Sequence, residues 1–333
     1  MQAATCHEGS YVCHSPRVCR GLGWSQLDGL RCAVVDRAAL RHDQHVQHQQ
    51  LPLAGRTALV TGVSRRRGIG FAVARTLATL GASIVIHHYR PHDLDQPWGG
   101  DDLDAVRAEL TAALTPSARF ADVSADLSDA TTIPGLLQQA AAMTGRLDIL
   151  VCNHAKSGDD GSILDMTPER LDAFWQVNTR STLLLTAGFA QTRAGAQSEA
   201  RRPGERIGGG RPYPAPTGRV FWMTSGQQLG PMRGEVAYAT SKAALAGVTA
   251  TVAAELLELG IVLNTINPGP VNTGYLDAET TDRPLDEIEQ HLASTPFGRV
   301  GRPDDPAALI GWLATQDWIV GQVITSDGGF SLA

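Results

Sequence analysis

Three side chains in this sequence have the types and the spacing for moving a proton at neutral pH. Ser225 closes the apolar run Arg219 to Thr224, and thirteen residues later Tyr238 opens a stretch that also carries Lys242. Four apart on a helix, Tyr238 and Lys242 share one face. A phenol titrates near about 10 and is a poor proton shuttle at neutral pH unless a neighbouring cation favours its phenolate, which Lys242 would supply. The same spacing also occurs where an aromatic packing residue lies beside an exposed lysine. What makes the combination specific is the serine at a strand end, in a chain with a nucleotide-binding pattern upstream.

That pattern is Thr61-Gly62-Val63-Ser64-Arg65-Arg66-Arg67-Gly68-Ile69-Gly70, between an expected strand and an expected helix. Glycines there let the chain turn sharply and let backbone N–H groups and the helix N-terminus approach a pyrophosphate. A plain tight turn is the alternative, against which the strand-to-helix position argues. An acid at the end of the second strand suits a ribose 2′-hydroxyl, whereas cations suit a 2′-phosphate. The chain has His87-His88-Tyr89-Arg90 at that place. With Arg65, Arg66, Arg67 and Arg90 available for fork-shaped bonds to phosphate, NADP(H) is expected over NAD(H).

From Arg56 onward, apolar β-branched runs alternate with helical patterns, as strand-helix-strand units require. Strands are expected at Thr57 to Thr61, Ser83 to His87, Arg119 to Ala125, Asp148 to Cys152, Arg219 to Thr224, Val262 to Ile266 and Gln322 to Thr325. Helices are expected at Gly70 to Leu80, Asp104 to Leu114, Thr132 to Thr144, Pro168 to about Ala190, Val236 to Leu259 and Pro306 to Leu313. Right-handed crossovers make this an α/β, doubly wound, Rossmann-type three-layer sandwich: a single domain over residues 53–333 with a parallel sheet of about seven strands. Residues 191–218 carry Arg, Gly and Pro without period and read as a flexible insertion, and 274–297 as a substrate lid.

The formal net charge of −6, with 43% hydrophobic and 19% charged residues, lacks the basic excess of a nucleic-acid binder. No uninterrupted apolar run is long enough for a membrane helix, and the first ten residues lack the pattern of a secretory signal, so a cytoplasmic location is expected. Cys6, Cys13, Cys19 and Cys32, with His42, His45 and His48, sit at irregular spacings without a C-x-x-C pair, so no metal site is expected. Residues 1–52 read as a disordered leader or a mis-assigned start.

Residues 53–333 resemble the short-chain dehydrogenase/reductase family, particularly its compact branch that includes 3-oxoacyl-acyl-carrier-protein reductases. The matching elements are the glycine turn, Ala125-Asp126-Leu127, Cys152-Asn153-His154-Ala155, Asn178, Ser225, Tyr238-Ala239-Thr240-Ser241-Lys242, and Asn267-Pro268-Gly269-Pro270-Val271 with Thr273. The ending Gly321-Gln322 through Asp327-Gly328-Gly329 also matches.

The resemblance implies that Tyr238 is the general acid, that Ser225 holds the carbonyl oxygen, that Lys242 binds ribose and tunes Tyr238, and that Asn178 anchors a relay water. Cofactor contacts are implied at Gly62, Ser64, Arg65, Arg66, Gly68, Ile69 and Gly70 of the turn, and at Arg90. They are also implied at Asp126, Leu127, Asn153, Tyr238 and Lys242, and at Pro268, Gly269, Val271 and Thr273. Two departures stand out: five residues separate Gly62 from Gly68 where the family pattern has three, and Cys152, His154 and Ala155 replace the usual Asn, Ala and Gly. His154 is expected to pack rather than to catalyse. The substrate is expected to be a small-molecule or acyl-thioester carbonyl compound. Small residues along Val236 to Leu259, with the family's habit, imply a homo-oligomer, a dimer or a tetramer. The alternatives are an NAD-dependent alcohol or hydroxyacyl dehydrogenase, and a non-catalytic nucleotide-sensing regulator.

Overall fold

The computed structural model describes residues 51–194, 202, 204–205, 212–281, 286, 290 and 292–332. The expected leader, up to residue 50, therefore lies outside the described residues, as do most of 195–211 in the insertion and residues 282–285, 287–289 and 291 of the 274–297 lid.

Seven strands form one parallel sheet in the order β3-β2-β1-β4-β5-β6-β7. They are β1 (Thr57–Thr61), β2 (Ser83–His88), β3 (Phe120–Ser124), β4 (Ile149–Cys152), β5 (Gly218–Met223), β6 (Ile261–Asn267) and β7 (Val323–Thr325). The chain winds outward from β1 in one direction and then from β4 in the other, which opens a crevice at the carboxyl ends of β1 and β4.

Strand alternation sorts the core. Ala58 and Val60 of β1 pack with Phe71, Val73 and Leu77 on one face, while Leu59 joins Leu136 and Phe189 on the other. Because both faces are covered, the central strands read as continuous apolar runs. The first face carries α1 (Ile69–Thr79), α3 (Leu103–Ala112) and α8 (Asp304–Leu313). The second carries α4 (Thr132–Ala142), α6 (Ser181–Ala194) and α7 (Val236–Leu257).

Two elements differ from expectation, and both border the crevice. Arg90, expected at a strand end, instead begins α2 (Arg90–Leu94), with Pro91 in its first turn, where a fixed φ suits a helix start. The single helix expected over Pro168 to Ala190 is α5 (Pro168–Phe174), a π-helical turn over Trp175–Arg180, and then α6. A π turn interrupts the regular ladder and is common at functional sites. Here it carries Asn178.

Candidate active site

The carboxyl ends of β1, β4, β5 and β6 surround a cavity of about 990 Å³. On one side lies the glycine turn. Gly62 has φ +71, and a Cβ there would lie 2.7 Å from His154 Cα. Gly70 would place a Cβ 2.7 Å from Gly62 O and 2.6 Å from Asn153 Nδ2. The turn is therefore folded against α1 as closely as only glycine allows. Asn153 clamps it, donating from Nδ2 to Thr61 O and Gly62 O, 3.1 Å each. His87 supports it from β2: Gly62 N–H donates to Nδ1 at 3.3 Å, and Nε2 meets Ala125 O at 2.9 Å. Burial holds the His87 imidazole down at about 4, so it stays neutral and able to accept from Gly62. The N-terminus of α1 has no side-chain cap and no acid in its first turn, and it faces the cavity through Gly68 and Ile69.

Opposite lies the Ser-Tyr-Lys group. Ser225 follows β5 with extended backbone, and Tyr238 and Lys242 project from α7 into the same cavity. Lys242 is 2% exposed; Nζ donates to Met223 O at 3.0 Å and lies 5.7 Å from the Tyr238 ring centroid. Burial lowers its ammonium from 10.5 to about 8. The Tyr238 ring meets Phe174 edge-on, with centroids 6.5 Å apart.

Not every expected residue faces the cavity. Asn178 is fully buried behind its wall: Oδ1 accepts from Lys156 N at 2.7 Å, while Nδ2 donates to Lys156 O at 3.1 Å and to Ser241 Oγ at 2.9 Å. Gly70 also stands behind the wall. Gly62, Ser64, Arg65, Gly68, Ile69, Asp126, Leu127, Asn153, Pro268, Gly269, Val271 and Thr273 all line it.

Of the four arginines expected to meet phosphate, Arg65, Arg66 and Arg67 each have a carboxylate partner. Arg66 is turned away, making two bonds to Asp101 (3.0 and 2.8 Å) and one to Glu109 (3.1 Å). Arg67 pairs with Asp277 at 2.8 Å. Arg90 is exposed and outside the cavity wall. Only Arg65 remains in the wall, bonded to Asp93 Oδ1 at 3.2 Å and to Thr273 O at 2.7 Å, with its guanidinium 5.5 Å from the Trp98 ring centroid. Asp93, held also by Ser64 Oγ, and Asp95 are acids of the wall that inspection of the β2 end alone does not find.

His154 occupies the space left by the smaller residues of the family pattern. Its ring is buried, with Nδ1 at 2.6 Å from Thr61 Oγ1 and Nε2 at 3.0 Å from Val177 O and 2.6 Å from Ser181 Oγ. Val177 O only accepts, so Nε2 carries the proton and Nδ1 accepts from Thr61. Burial holds the ring far below the usual histidine range. A neutral ring engaged at both nitrogens joins β1, β4 and the π turn, as packing requires.

A narrow glycine turn with no room for a Cβ, an uncapped helix start and a cavity of this size fit a dinucleotide, and Ser225, Tyr238 and Lys242 line that same cavity. The comparisons agree. The family model described as enoyl-(acyl carrier protein) reductase matches residues 62–199 and 209–331. The chain belongs to the short-chain dehydrogenase/reductase family. It is 34% identical over 276 residues to an uncharacterized oxidoreductase of Bacillus subtilis, covering 82% of this chain and 96% of that protein. It is also 34% identical over 293 residues to an NADPH-dependent aldehyde reductase-like protein of Arabidopsis thaliana, covering 86% and 97%. A 3-oxoacyl-[acyl-carrier protein] reductase from Brucella melitensis has a similar structure, with a TM-score of 0.65 at 27% identity, covering 84% of this chain and 98% of that one. The chain is thus an oxidoreductase of that family. Among the described residues no helix is long and apolar enough to cross a membrane.

Proposed function

We propose that the chain is an NADP(H)-dependent carbonyl reductase that converts a ketone, for example a 3-oxoacyl thioester, to a secondary alcohol, with Tyr238 as the general acid. The observation that carries this reading is the meeting of Ser225, Tyr238 and buried Lys242 in one cavity with the glycine turn. A bound nicotinamide cofactor supplies the hydride. Everything else is done by the protein. Ser225 Oγ donates to the carbonyl oxygen, Tyr238 Oη delivers the proton to that oxygen, and Lys242 stabilises the phenolate left behind. Asn178 holds the peptide of Lys156 and, through Ser241, the start of α7.

For the cofactor, Arg65 is the group in the wall that a 2′-phosphate would engage, displacing Asp93 from it, and an Arabidopsis relative is described as NADPH-dependent. Asp95, an acid in the wall beside the β2 end, favours the second reading, an NAD-dependent dehydrogenase. Fluorescence titration with NADPH and NADH, followed by a panel of aldehydes, ketones and 3-oxo esters, separates the two. Tighter NADPH binding with turnover of a ketone supports the first; tighter NADH binding supports the second; binding of neither points to a different role for the fold. We also propose a homo-oligomer, supported by exposed small residues on α7 such as Ala243, Gly247 and Ala250, with light scattering as its test.

A further inference from the structure

The helix that carries Tyr238 begins without a cap of its own. At its N-cap Glu235 has φ −128 and ψ 44 and makes no side-chain cap bond, and the first turn holds no acid. The first N–H groups of a helix lack intrahelical acceptors and must find others. Here they find the loop after β4. Val236 N–H donates to Gly161 O at 3.1 Å, Ala237 N–H to Asp160 Oδ1 at 3.1 Å and Tyr238 N–H to Asp160 Oδ2 at 2.8 Å.

We propose that Asp160 is a positioning residue for the reaction, fixing the aim of the Tyr238 phenol by gripping the amides of Ala237 and Tyr238 with its two carboxylate oxygens. The proposal rests on Tyr238 being the general acid. One acceptor would leave the first turn free to pivot; two acceptors on consecutive amides remove that freedom, and a carboxylate at a helix N-terminus also complements the helix dipole. The peptide on the far side of the Tyr238 Cα is held as well, since Ser241 Oγ donates to Tyr238 O at 2.7 Å and accepts from Asn178 Nδ2 at 2.9 Å.

The loop that carries Asp160 is itself braced. Asn178 holds Lys156 at both N and O, and Arg170 Nε donates to Asp159 O at 3.2 Å. Asp159 is a non-glycine residue at φ 51, a conformation that persists only where its surroundings enforce it. Asn178 thus steadies the loop at Lys156 and α7 at Ser241, while Asp160 joins loop to helix.

The test compares Asp160→Ala, Asp160→Ser and Tyr238→Phe with the wild type in kcat, KM, NADPH Kd, Tm and amide exchange at 237–238. A catalytic group displaced by about 1 Å costs on the order of a hundredfold in rate. Asp160→Ala is expected to lose about tenfold or more in kcat while NADPH Kd stays within about twofold and exchange at 237–238 accelerates. Asp160→Ser, whose hydroxyl reaches one amide, recovers part of the loss. If Asp160→Ala does not fold, Asp160→Asn, equal in volume, stands in for it. An Asp160→Ala enzyme with kcat within about twofold of wild type and a lowered Tm would show a cap that is only structural, overturning the proposal. A Tyr238→Phe enzyme that keeps turnover removes the general-acid reading and this proposal with it. An inactive Tyr238→Phe beside a fully active Asp160→Ala removes the positioning role alone.

Discussion

Substituting Gly62 by alanine separates two costs that the structure assigns to different causes, with Gly55 as an internal control. Both glycines have left-handed backbone, φ +71 and φ +74. An alanine there costs about 1–2 kcal/mol at either position. At Gly55 nothing lies within 4 Å of the added Cβ, whereas at Gly62 it meets His154 Cα at 2.7 Å and His154 N at 2.9 Å. Those are backbone atoms of the segment whose Asn153 clamps the turn, so they cannot swing aside as a side-chain end would. Overpacking of this kind adds about 1–3 kcal/mol. Gly62→Ala should therefore cost about 2–5 kcal/mol in denaturant unfolding, against about 1–2 for Gly55→Ala. NADPH titration reads the functional half: Gly55→Ala binds as wild type, and Gly62→Ala loses about tenfold or more because the turn is forced open. Equal destabilisation with equal binding would refute the reasoning that close approach shapes the phosphate turn.

Burial holds Lys242 at about 8, against 10.5 when solvated, so between those values the unfolded chain binds more protons and stability rises with pH. Unfolding measured from pH 7.5 to 10 should show that rise in wild type, of order 3 kcal/mol in total, and a smaller rise in Lys242→Met; equal slopes contradict the buried ammonium. His154→Ala, which strips partners from Thr61, Val177 and Ser181, should lose about 2–4 kcal/mol of stability while its folded fraction keeps Tyr238-dependent turnover. Abolished turnover in a fully folded His154→Ala protein would make the ring catalytic. Arg65→Met should weaken NADPH by about tenfold and NADH by less than about threefold, and an equal effect on both would take the 2′-phosphate away from this side chain.

Much of this was legible in the sequence because parallel strands, buried on both faces, write themselves as apolar β-branched runs. Each of the seven expected strands is present, with no end shifted by more than one residue. That Ser225, Tyr238 and Lys242 share one cavity was legible for a related reason: a strand end and one helix face fix their approach. Arg65 lines the cavity as the glycine turn suggested, whereas Arg66 and Arg67 do not, because a charge pattern names donors but not the acids that reach them. Asp93 lies 28 positions from Arg65, and Asp101 lies 35 from Arg66. The π turn that buries Asn178 has no periodic signature, since Pro168 to Ala190 reads as one helix. Asp160 left no signal of this role: besides the adjacent Gly161 amide, it accepts from backbone amides 77 and 78 positions away.

The central claim is that Tyr238 delivers the proton while the glycine turn holds the cofactor. Its most direct measurement is single-turnover oxidation of NADPH by Tyr238→Phe with the best carbonyl substrate of the wild type, beside NADPH Kd for both proteins. The account predicts binding within about threefold of wild type and a rate lower by about 10²–10⁴. A Tyr238→Phe rate within about tenfold of wild type, with binding intact, would contradict it.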